Sequence, residues 1–211
     1  MSTGGGNAPS PVACLPHTES AALRPFILVL LSALLAEAAA HAGTFDERKS
    51  QCLDCHGKNG VSTTPETPSL GGHPAAFLLY QLVWFREGQR NAPIMNEMIK
   101  GMSDDDLRAA GEFLAKLPPP PPPDEPGDPQ RMTQGKELAD KNRCGFCHNP
   151  DYSGHDQIPR LANQREDYLL KALRDYKNEK RIAGGATMIE VLQPLTDGDL
   201  KTLAHYLAHV R

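Results

Sequence analysis

The chain has 211 residues, a formal net charge of −4 and 39% hydrophobic residues, a composition that suits one or two ordinary domains. Acidic and basic residues nearly balance, at 26 and 22, and no basic stripe is interleaved with aromatic residues. We therefore expect no nucleic-acid partner.

The first element in chain order is an apolar segment near the N-terminus. It occupies residues 26–36, follows the cation Arg24, and leads to Ala40-His41-Ala42, a small-residue cleavage pattern. The run is too short to span a bilayer, which takes about 20 residues. The layout predicts a signal peptide over residues 1–42. We expect a periplasmic protein with little or no membrane contact, held at the outer face of the membrane if the signal is retained.

Two short runs hold all the cysteines that follow the predicted signal. CLDCHG occupies residues 52–57, and CGFCHN occupies residues 144–149. Each run carries two cysteines and a histidine in the spacing C-x-x-C-H. Four cysteines in an exported protein would by default form two disulfides, but that default leaves the histidines unexplained.

A proline run, PPPPPP at 118–123, lies between the motifs and cannot be the interior of a helix or sheet, because proline lacks an N–H donor. Six prolines in polyproline II would span roughly 19 Å at about 3.1 Å per residue. We interpret 118–130 as a linker between a first domain, 43–117, and a second, 131–211.

The two halves are copies of each other. The repeats align TPSLGGH at 67–73 with IPRLANQ at 158–164, FLLYQLVWFREGQR at 77–90 with YLLKALRDYKNEKR at 168–181, and MNEMIKGMSDDDL at 95–107 with MIEVLQPLTDGDL at 188–200. An internal duplication lets each half test what is inferred from the other.

Each half is predicted to be helical. Ser103 and Thr196 are N-cap residues followed by acidic residues, as a helix start favours. Apolar or small residues then recur at the spacing of an amphipathic helix, and 77–85 and 168–176 are mostly apolar helical runs. The pattern predicts all-α modules of about three helices each. Modules this small would be marginally stable alone, so we expect a group at their centre.

Three chemistries compete for the C-x-x-C-H runs. A structural zinc site needs four protein ligands, and each half would have to complete its own without another cysteine. Thiol–disulfide exchange belongs on a βαβ fold, and neither half shows strand patterns. Covalent haem explains all three residues: Cys52, Cys55, Cys144 and Cys147 form thioethers, and His56 and His148 are axial ligands of the iron. We predict two haem c groups.

The sixth iron ligand is predicted from the duplication. Met188 is the only methionine after Cys144, and it stands eight residues before the cap Thr196. Met95 stands eight residues before Ser103, whereas Met98 and Met102 do not match this spacing and are expected to be packing residues. We predict Met95 and Met188 as axial ligands, against the alternative of buried gap-filling residues.

The remaining histidines and two loop prolines complete the candidates. His155, His205 and His209 could in principle form a bis-histidine site, but we expect structural or surface roles, as for His73, which aligns with Gln164. A haem histidine is held by a hydrogen bond from its other ring nitrogen. Pro68 and Pro159 follow the motifs and could offer that carbonyl, or be ordinary loop prolines.

Together these motifs resemble the two-haem class I cytochromes c of bacteria, most closely the cytochrome c4 type, over essentially the whole mature chain. The resemblance implies two tandem cytochrome c domains, each wrapped around a covalent haem with His/Met ligation. It also implies that Pro68 and Pro159 hold the axial histidines. The small residues Gly43, Gly111, Gly135 and Ala204 match the positions where the first and last helices cross in this family.

We therefore expect an electron carrier without enzymatic activity of its own, passing single electrons from a quinol-oxidising complex or dehydrogenase to a terminal oxidase or reductase. Its partners would be redox proteins. The first alternative is an electron-transfer subunit fixed to a dehydrogenase or oxidase. The second, a di-haem peroxidase or gas sensor, needs an open iron.

Overall fold

The computed structural model describes residues 44–211, and within that range all regular elements are helices. The predicted signal peptide and Gly43 lie outside the described residues. The helices are α1 (Phe45–His56), α2 (Ala75–Arg86), α3 (Pro93–Ile99), α4 (Asp104–Ala115), α5 (Pro129–Lys141), α6 (Cys144–His148), α7 (Glu166–Lys177), α8 (Ala186–Leu192) and α9 (Asp197–Ala208). None of these helices is long and apolar enough to cross a membrane.

The last helix of each module begins at the predicted cap. The Ser103 hydroxyl accepts a hydrogen bond from the Asp106 amide at 3.1 Å, and the Thr196 hydroxyl accepts one from the Asp199 amide at 3.2 Å. Each aspartate in turn accepts from the cap residue's own N–H, so both helices begin in a reciprocal capping box. Asp106 also accepts from the Phe45 amide at 2.9 Å, which joins the start of α1 to the start of α4.

Each module has its own apolar core. In the first module α2 packs on α4, and Leu107 is fully buried beside Phe45, Leu82 and Phe85. In the second module α9 packs on both α5 and α7, with Leu200, Leu203 and Ala204 at its centre. The predicted helical runs 77–85 and 168–176 lie within α2 and α7, and the all-α prediction is confirmed.

Three short helices, α3, α6 and α8, were not predicted. Helices α3 and α8 have seven residues each, too few for an amphipathic repeat to register in the sequence. They occupy equivalent places, between the long apolar helix and the last helix of each module. They matter because each carries a methionine predicted to bind iron.

The two modules are in direct contact, and the described residues, 44–211, belong to one compact unit. The Gln164 amide lies against the backbone of Ser69: its oxygen accepts from the Ser69 N–H and its nitrogen donates to the Ser69 carbonyl, both at 2.8 Å. The Glu66 amide donates to Asp167 at 3.0 Å, and the Arg160 amide donates to Nδ1 of His73 at 3.2 Å. His73 and Gln164, which align in the duplication, thus face each other across the interface.

The proline run packs along this unit. Pro120 is buried, and the Gly72 amide donates to the Leu117 carbonyl at 3.0 Å. A Cβ at Gly71 would lie 2.0 Å from the Pro118 carbonyl oxygen, so the contact of the proline run with this loop requires glycine at position 71. Helix α5 begins at Pro129, slightly upstream of the predicted start of the second domain at 131.

Candidate functional site

The first C-x-x-C-H run forms the last turn of α1. Cys52 and Cys55 are three residues apart on this helix, and His56 is its final residue, only 6% exposed. In the second module Cys144, Cys147 and His148 make up the short helix α6. The structural setting is the same in both halves: a helical turn presents two thiols and buries the histidine that follows.

The four cysteines of the described chain are free thiols. Cys52 and Cys144 are half-buried, and burial raises the pKa of both thiols. A raised pKa disfavours the thiolate that disulfide exchange requires. The described chain therefore contains no disulfide, and the raised pKa of Cys52 and of Cys144 disfavours thiol exchange.

Each motif histidine is held by one backbone carbonyl. Nδ1 of His56 donates to the Pro68 carbonyl at 2.8 Å, and Nδ1 of His148 donates to the Pro159 carbonyl at 2.9 Å. Because a carbonyl can only accept, the proton lies on Nδ1 and Nε2 keeps its lone pair. Burial lowers the pKa of both imidazoles, and the proline carbonyls oppose that shift. The structure thus presents two neutral imidazoles, as a metal ligand requires.

The predicted methionines occupy matching positions. Met95 is the third residue of α3 and Met188 is the third residue of α8, and both are partly buried against their module's core. Met102 is 3% exposed and belongs to the first core itself. Met98 is also partly buried, but the equivalent position in α8 is Val191. The duplication and the helix register therefore favour the same pair.

Side chains and backbone groups brace the segments that carry these methionines. In the first module the side-chain amide of Asn96 makes three hydrogen bonds. Its oxygen accepts from the Ala92 N–H at 2.8 Å, and its nitrogen donates to the Phe85 and Arg90 carbonyls at 2.6 and 2.9 Å. In the second, Lys177 and Gln193 exchange hydrogen bonds with each other's backbone carbonyls. Both methionines therefore project from fixed segments.

The other histidines have structural partners. His205 uses both ring nitrogens: Nδ1 bonds Glu166 and Nε2 accepts from the Asp128 amide, each at 2.9 Å. His209 donates from Nδ1 to the His205 carbonyl at 2.8 Å, and His155 is exposed beside Asp156. Glu166, His205 and His209 are close enough to suggest a metal cluster, but each ring nitrogen of His205 already has a hydrogen-bond partner, so a metal would have to displace at least one of these bonds.

The donor sets fit haem and do not fit zinc. Among residues 44–211, no group of three or more closely placed His, Cys, Asp or Glu ligand atoms includes a motif residue. Each module instead offers two free thiols three residues apart, one neutral imidazole and one thioether. That combination matches the attachment and axial ligation of haem c.

Two surface cavities, of about 330 and 760 Å³, lie away from these residues. The smaller is lined by the proline run and residues 163–166, and the larger by Tyr152, Arg160 and Tyr206. Neither contains a motif cysteine, a motif histidine or a predicted methionine. Cavity size alone would have pointed away from the motifs.

Sequence reasoning missed two arginines. Arg90 and Arg181 align in the duplication, as the last residues of the matched 77–90 and 168–181 segments. The structure brings both to the interface between the modules, where each bonds the side chain of Gln81. The matched pair was visible in the alignment, but arginines near a helix end read as ordinary surface charge.

Comparison with known proteins matches this chain to c-type cytochromes. The cytochrome c family model matches residues 132–211. Cytochrome c-554(548) of Halomonas halodenitrificans is 35% identical over 72 residues, which are 33% of this chain and 87% of that protein. The chain belongs to the cytochrome c family.

Two longer relatives cover both halves of this cytochrome. Cytochrome c4 of Azotobacter vinelandii is 29% identical over 206 residues, covering 88% of this chain and 97% of that protein. A thiosulfate dehydrogenase electron acceptor of Thiomonas intermedia is 26% identical, covering 88% and 90%. The solved cytochrome c4 of Pseudomonas stutzeri superimposes with a TM-score of 0.70 at 27% identity, over 81% of this chain and all of that one.

This cytochrome is therefore of the two-haem, cytochrome c4 type, with two tandem class I domains. It carries two covalently bound haem c groups and transfers electrons. The individual ligand assignments remain predictions that the geometry supports.

Proposed function

We propose that this cytochrome carries single electrons in the periplasm, from a quinol-oxidising complex or dehydrogenase to a terminal oxidase or reductase. The observation that carries the proposal is the matched ligand pair in each half: a buried neutral imidazole held by a proline carbonyl, and a methionine on a braced short helix. A filled sixth position suits electron transfer, whereas an open one suits catalysis or gas binding.

The proposed ligands follow from this arrangement. Cys52, Cys55, Cys144 and Cys147 would form the thioethers, and His56 with Met95 and His148 with Met188 would hold the two irons. When bound, each haem supplies a one-electron couple between ferric and ferrous iron. The chain's own contribution is to hold Nε2 of the histidine in one tautomer, and to fix the methionine segment so that the ligand set need not change on reduction.

The domain limits and the setting belong to the same proposal. We take 1–42 as a signal peptide, 43–117 and 131–211 as the two domains, and 118–130 as their connection. Haem attachment outside the cytoplasm requires an exported chain, and the segment before Ala42 has the layout of an export signal.

A second candidate function is that of a fixed subunit. The Thiomonas relative is named as the electron acceptor of a dehydrogenase, which is the role of such a subunit. The same haem ligands would serve. A stable complex with a dehydrogenase or oxidase, recovered when the protein is purified from its native source, would favour this candidate. A free monomer would favour the diffusing carrier.

The experiment that tests the carrier function is the optical spectrum of the exported holoprotein in both oxidation states, with haem quantified per chain, repeated under carbon monoxide. We expect two haems per chain, both low-spin and both indifferent to the gas. Ready binding of the gas at one iron would instead indicate a peroxidase or a gas sensor.

A further inference from the structure

The two short helices that carry the predicted methionine ligands begin differently. In the first module the Asn96 side chain accepts a hydrogen bond from the Ala92 N–H, and Pro93 is the first residue of α3. The residue equivalent to Asn96 in the second module is Ile189, whose side chain has no polar group. The residue before α8 is Gly185, which also has no side chain to cap the helix. The start of α8 therefore depends on packing rather than on a side-chain hydrogen bond.

The segment that leads into α8 is also longer than its counterpart. Met95 lies 9 residues after the end of α2, and Met188 lies 11 residues after the end of α7. The segment before Met188 contains Gly184-Gly185, whereas residues 91–94 include no glycine. Glycine gives the backbone more conformational freedom than any other residue. The second methionine segment is thus the one that needs more support from outside.

That support comes from the first module. A Cβ at Gly184 would lie 2.1 Å from Cη2 of Trp84 and 2.8 and 2.9 Å from Cζ3 and Cζ2 of the same ring. The six-membered ring of Trp84, on α2, therefore packs directly on the backbone of Gly184. A Cβ at Gly185 would lie 2.4 Å from Cε1 of Tyr176, on α7. The two glycines are held between an aromatic ring of each module.

The support runs in one direction only. The residue of α7 equivalent to Trp84 is Asp175, which forms an ion pair with Lys171 of its own helix. The second module thus offers no aromatic ring at this position. The first methionine segment is braced within its own module, by Asn96.

We propose that Trp84 is a positioning residue for Met188. By packing on Gly184, it holds the segment that leads into α8 and so keeps the Met188 sulfur in place as an axial ligand. The proposal rests on the proposed haem ligation. A methionine ligand raises the reduction potential of a haem. The potential of the second haem therefore depends on a side chain of the first module.

The test is a spectroelectrochemical titration of the Trp84→Ala holoprotein, with carbon monoxide added to the reduced protein. Removing the ring leaves a gap beside the glycines, which loosens the segment. We expect the midpoint potential of the second haem to become more negative, and a larger fraction of that haem to bind the gas than in the wild type. The second haem is identified as the one whose spectrum changes in Met188→Leu.

The first haem distinguishes positioning from a general packing defect. Trp84 belongs to the first module, so a merely structural role would disturb the first haem at least as much as the second. We expect the first haem to keep its potential and to remain indifferent to the gas. A shift of the first haem that equals or exceeds that of the second would overturn the proposal.

Tyr80→Ala is the matched control for loss of an aromatic side chain from α2. Its ring centroid lies 5.8 Å from that of Trp84, and Tyr80 is 40% exposed. This variant should leave both potentials unchanged. Trp84→Phe keeps an aromatic ring at the contact and should shift the second potential by less than Trp84→Ala. Equal shifts in Trp84→Ala and Tyr80→Ala would contradict the proposal.

Gly184→Ala tests the same contact from the second module and covers the case in which Trp84→Ala does not fold. Gly88→Ala is its control, because the φ angles of Gly184 and Gly88 are +64° and +68°, but a Cβ at Gly88 meets nothing within 4 Å in the described chain. Both variants carry the same kind of backbone strain, and only Gly184→Ala presses on Trp84. We expect the second potential to shift in Gly184→Ala alone. Equal potentials in these two variants would also overturn the proposal.

Failure of the proposed function would look different. It would appear in the wild type, as a missing haem or as an iron that binds carbon monoxide. Failure of the present proposal would leave the wild type with two low-spin haems and would make Trp84→Ala indistinguishable from Tyr80→Ala.

Discussion

At the scale of single residues, one hydrogen bond prepares each motif histidine for a metal. In the described part of the chain, the only partner of Nδ1 of His56 is the Pro68 carbonyl, and the only partner of Nδ1 of His148 is the Pro159 carbonyl. Each carbonyl fixes both the orientation and the tautomer of its imidazole. These contacts join the residues that spacing and family resemblance had paired. The signal was available because a proline lies 12 residues after His56 and another lies 11 residues after His148, in matching loops of a duplicated chain.

The methionine assignment gives a direct residue-scale prediction. Met95→Leu and Met188→Leu keep an apolar side chain of similar size but remove the sulfur. We expect each variant to open one iron, so that one haem per chain binds carbon monoxide and the spectrum of the other is unchanged. Optical spectra of the reduced protein measure this directly.

Met98→Leu and Met102→Leu are the matched controls. Both residues pack against the first module's core, and neither matches Met188 in the duplication. They should leave both haems indifferent to the gas. Gas binding by the Met98 variant, with none by the Met95 variant, would transfer the ligand assignment to Met98.

The buried His73, at the interface between the modules, should make the protein less stable at acidic pH. Burial lowers its pKa from 6.5 to about 4, assisted by nearby Arg160, and its Nδ1 accepts from the Arg160 amide. The unfolded chain takes up the proton first, so the stability from this group is present above pH 6.5 and is lost as pH falls through about 4. At about 1.4 kcal/mol per pKa unit, the loss is on the order of 3 kcal/mol.

Denaturant unfolding of the holoprotein between pH 7 and 4 tests this prediction. Glutamine is the residue found at the equivalent position of the second module, Gln164. The free energy of unfolding of His73→Gln should therefore fall less between pH 7 and 4 than that of the wild type. His155→Gln is the control, since His155 is exposed. Parallel stability curves for wild type and His73→Gln would rule out His73 as the source of acid sensitivity.

At the scale of elements, the crossing of α5 and α9 depends on a glycine. A Cβ at Gly135 would lie 2.3 Å from Cβ of Tyr206 and 3.0 Å from the Thr202 carbonyl oxygen. The resemblance predicted a small residue here. Gly43, the counterpart of Gly135, lies outside the described residues. Gly111, the counterpart of Ala204, lies against the backbone of Ala75 and Leu79, so in the first module this glycine belongs to the α2–α4 contact.

Gly135→Ala should therefore separate α5 from α9. We expect the free energy of unfolding to fall by about 1–3 kcal/mol, as for other overpacked sites. Gly198→Ala is the control in α9, because its Cβ would meet only the Thr196 hydroxyl, at 3.5 Å. That variant should change stability by less than about 1 kcal/mol, toward greater stability. Equal effects in the two variants, measured by denaturant unfolding, would contradict the packing argument.

Local patterns predicted the long helices α2, α4, α7 and α9 and the caps of α4 and α9, but not the short helices. Ser103 and Thr196 were readable because capping depends on residues three apart, and α2 and α7 because their apolar runs are long. Helices α3 and α8 have too few residues for a periodic signal. Their position was nevertheless marked by the methionines that they carry.

At the scale of the whole molecule, the two modules dock directly although a proline run connects them. The contacts join residues far apart in the chain, such as Gln164 with Ser69, Asp167 with Glu66, and Arg165 with the Ser62 carbonyl. Periodicity reports only which face of an element is buried, so it could not pair these residues. The same limit hid Arg90 and Arg181, which both bond Gln81 where the modules are in contact.

The measurement that tests the central claim most directly is a coulometric reductive titration of the holoprotein, followed by optical spectra. The claim is that one chain holds two one-electron centres, each with a histidine and a methionine on its iron. We predict reversible uptake of two electrons per chain, with both haems low-spin in both oxidation states. Uptake of a single electron, or a haem that becomes high-spin on reduction, would contradict it.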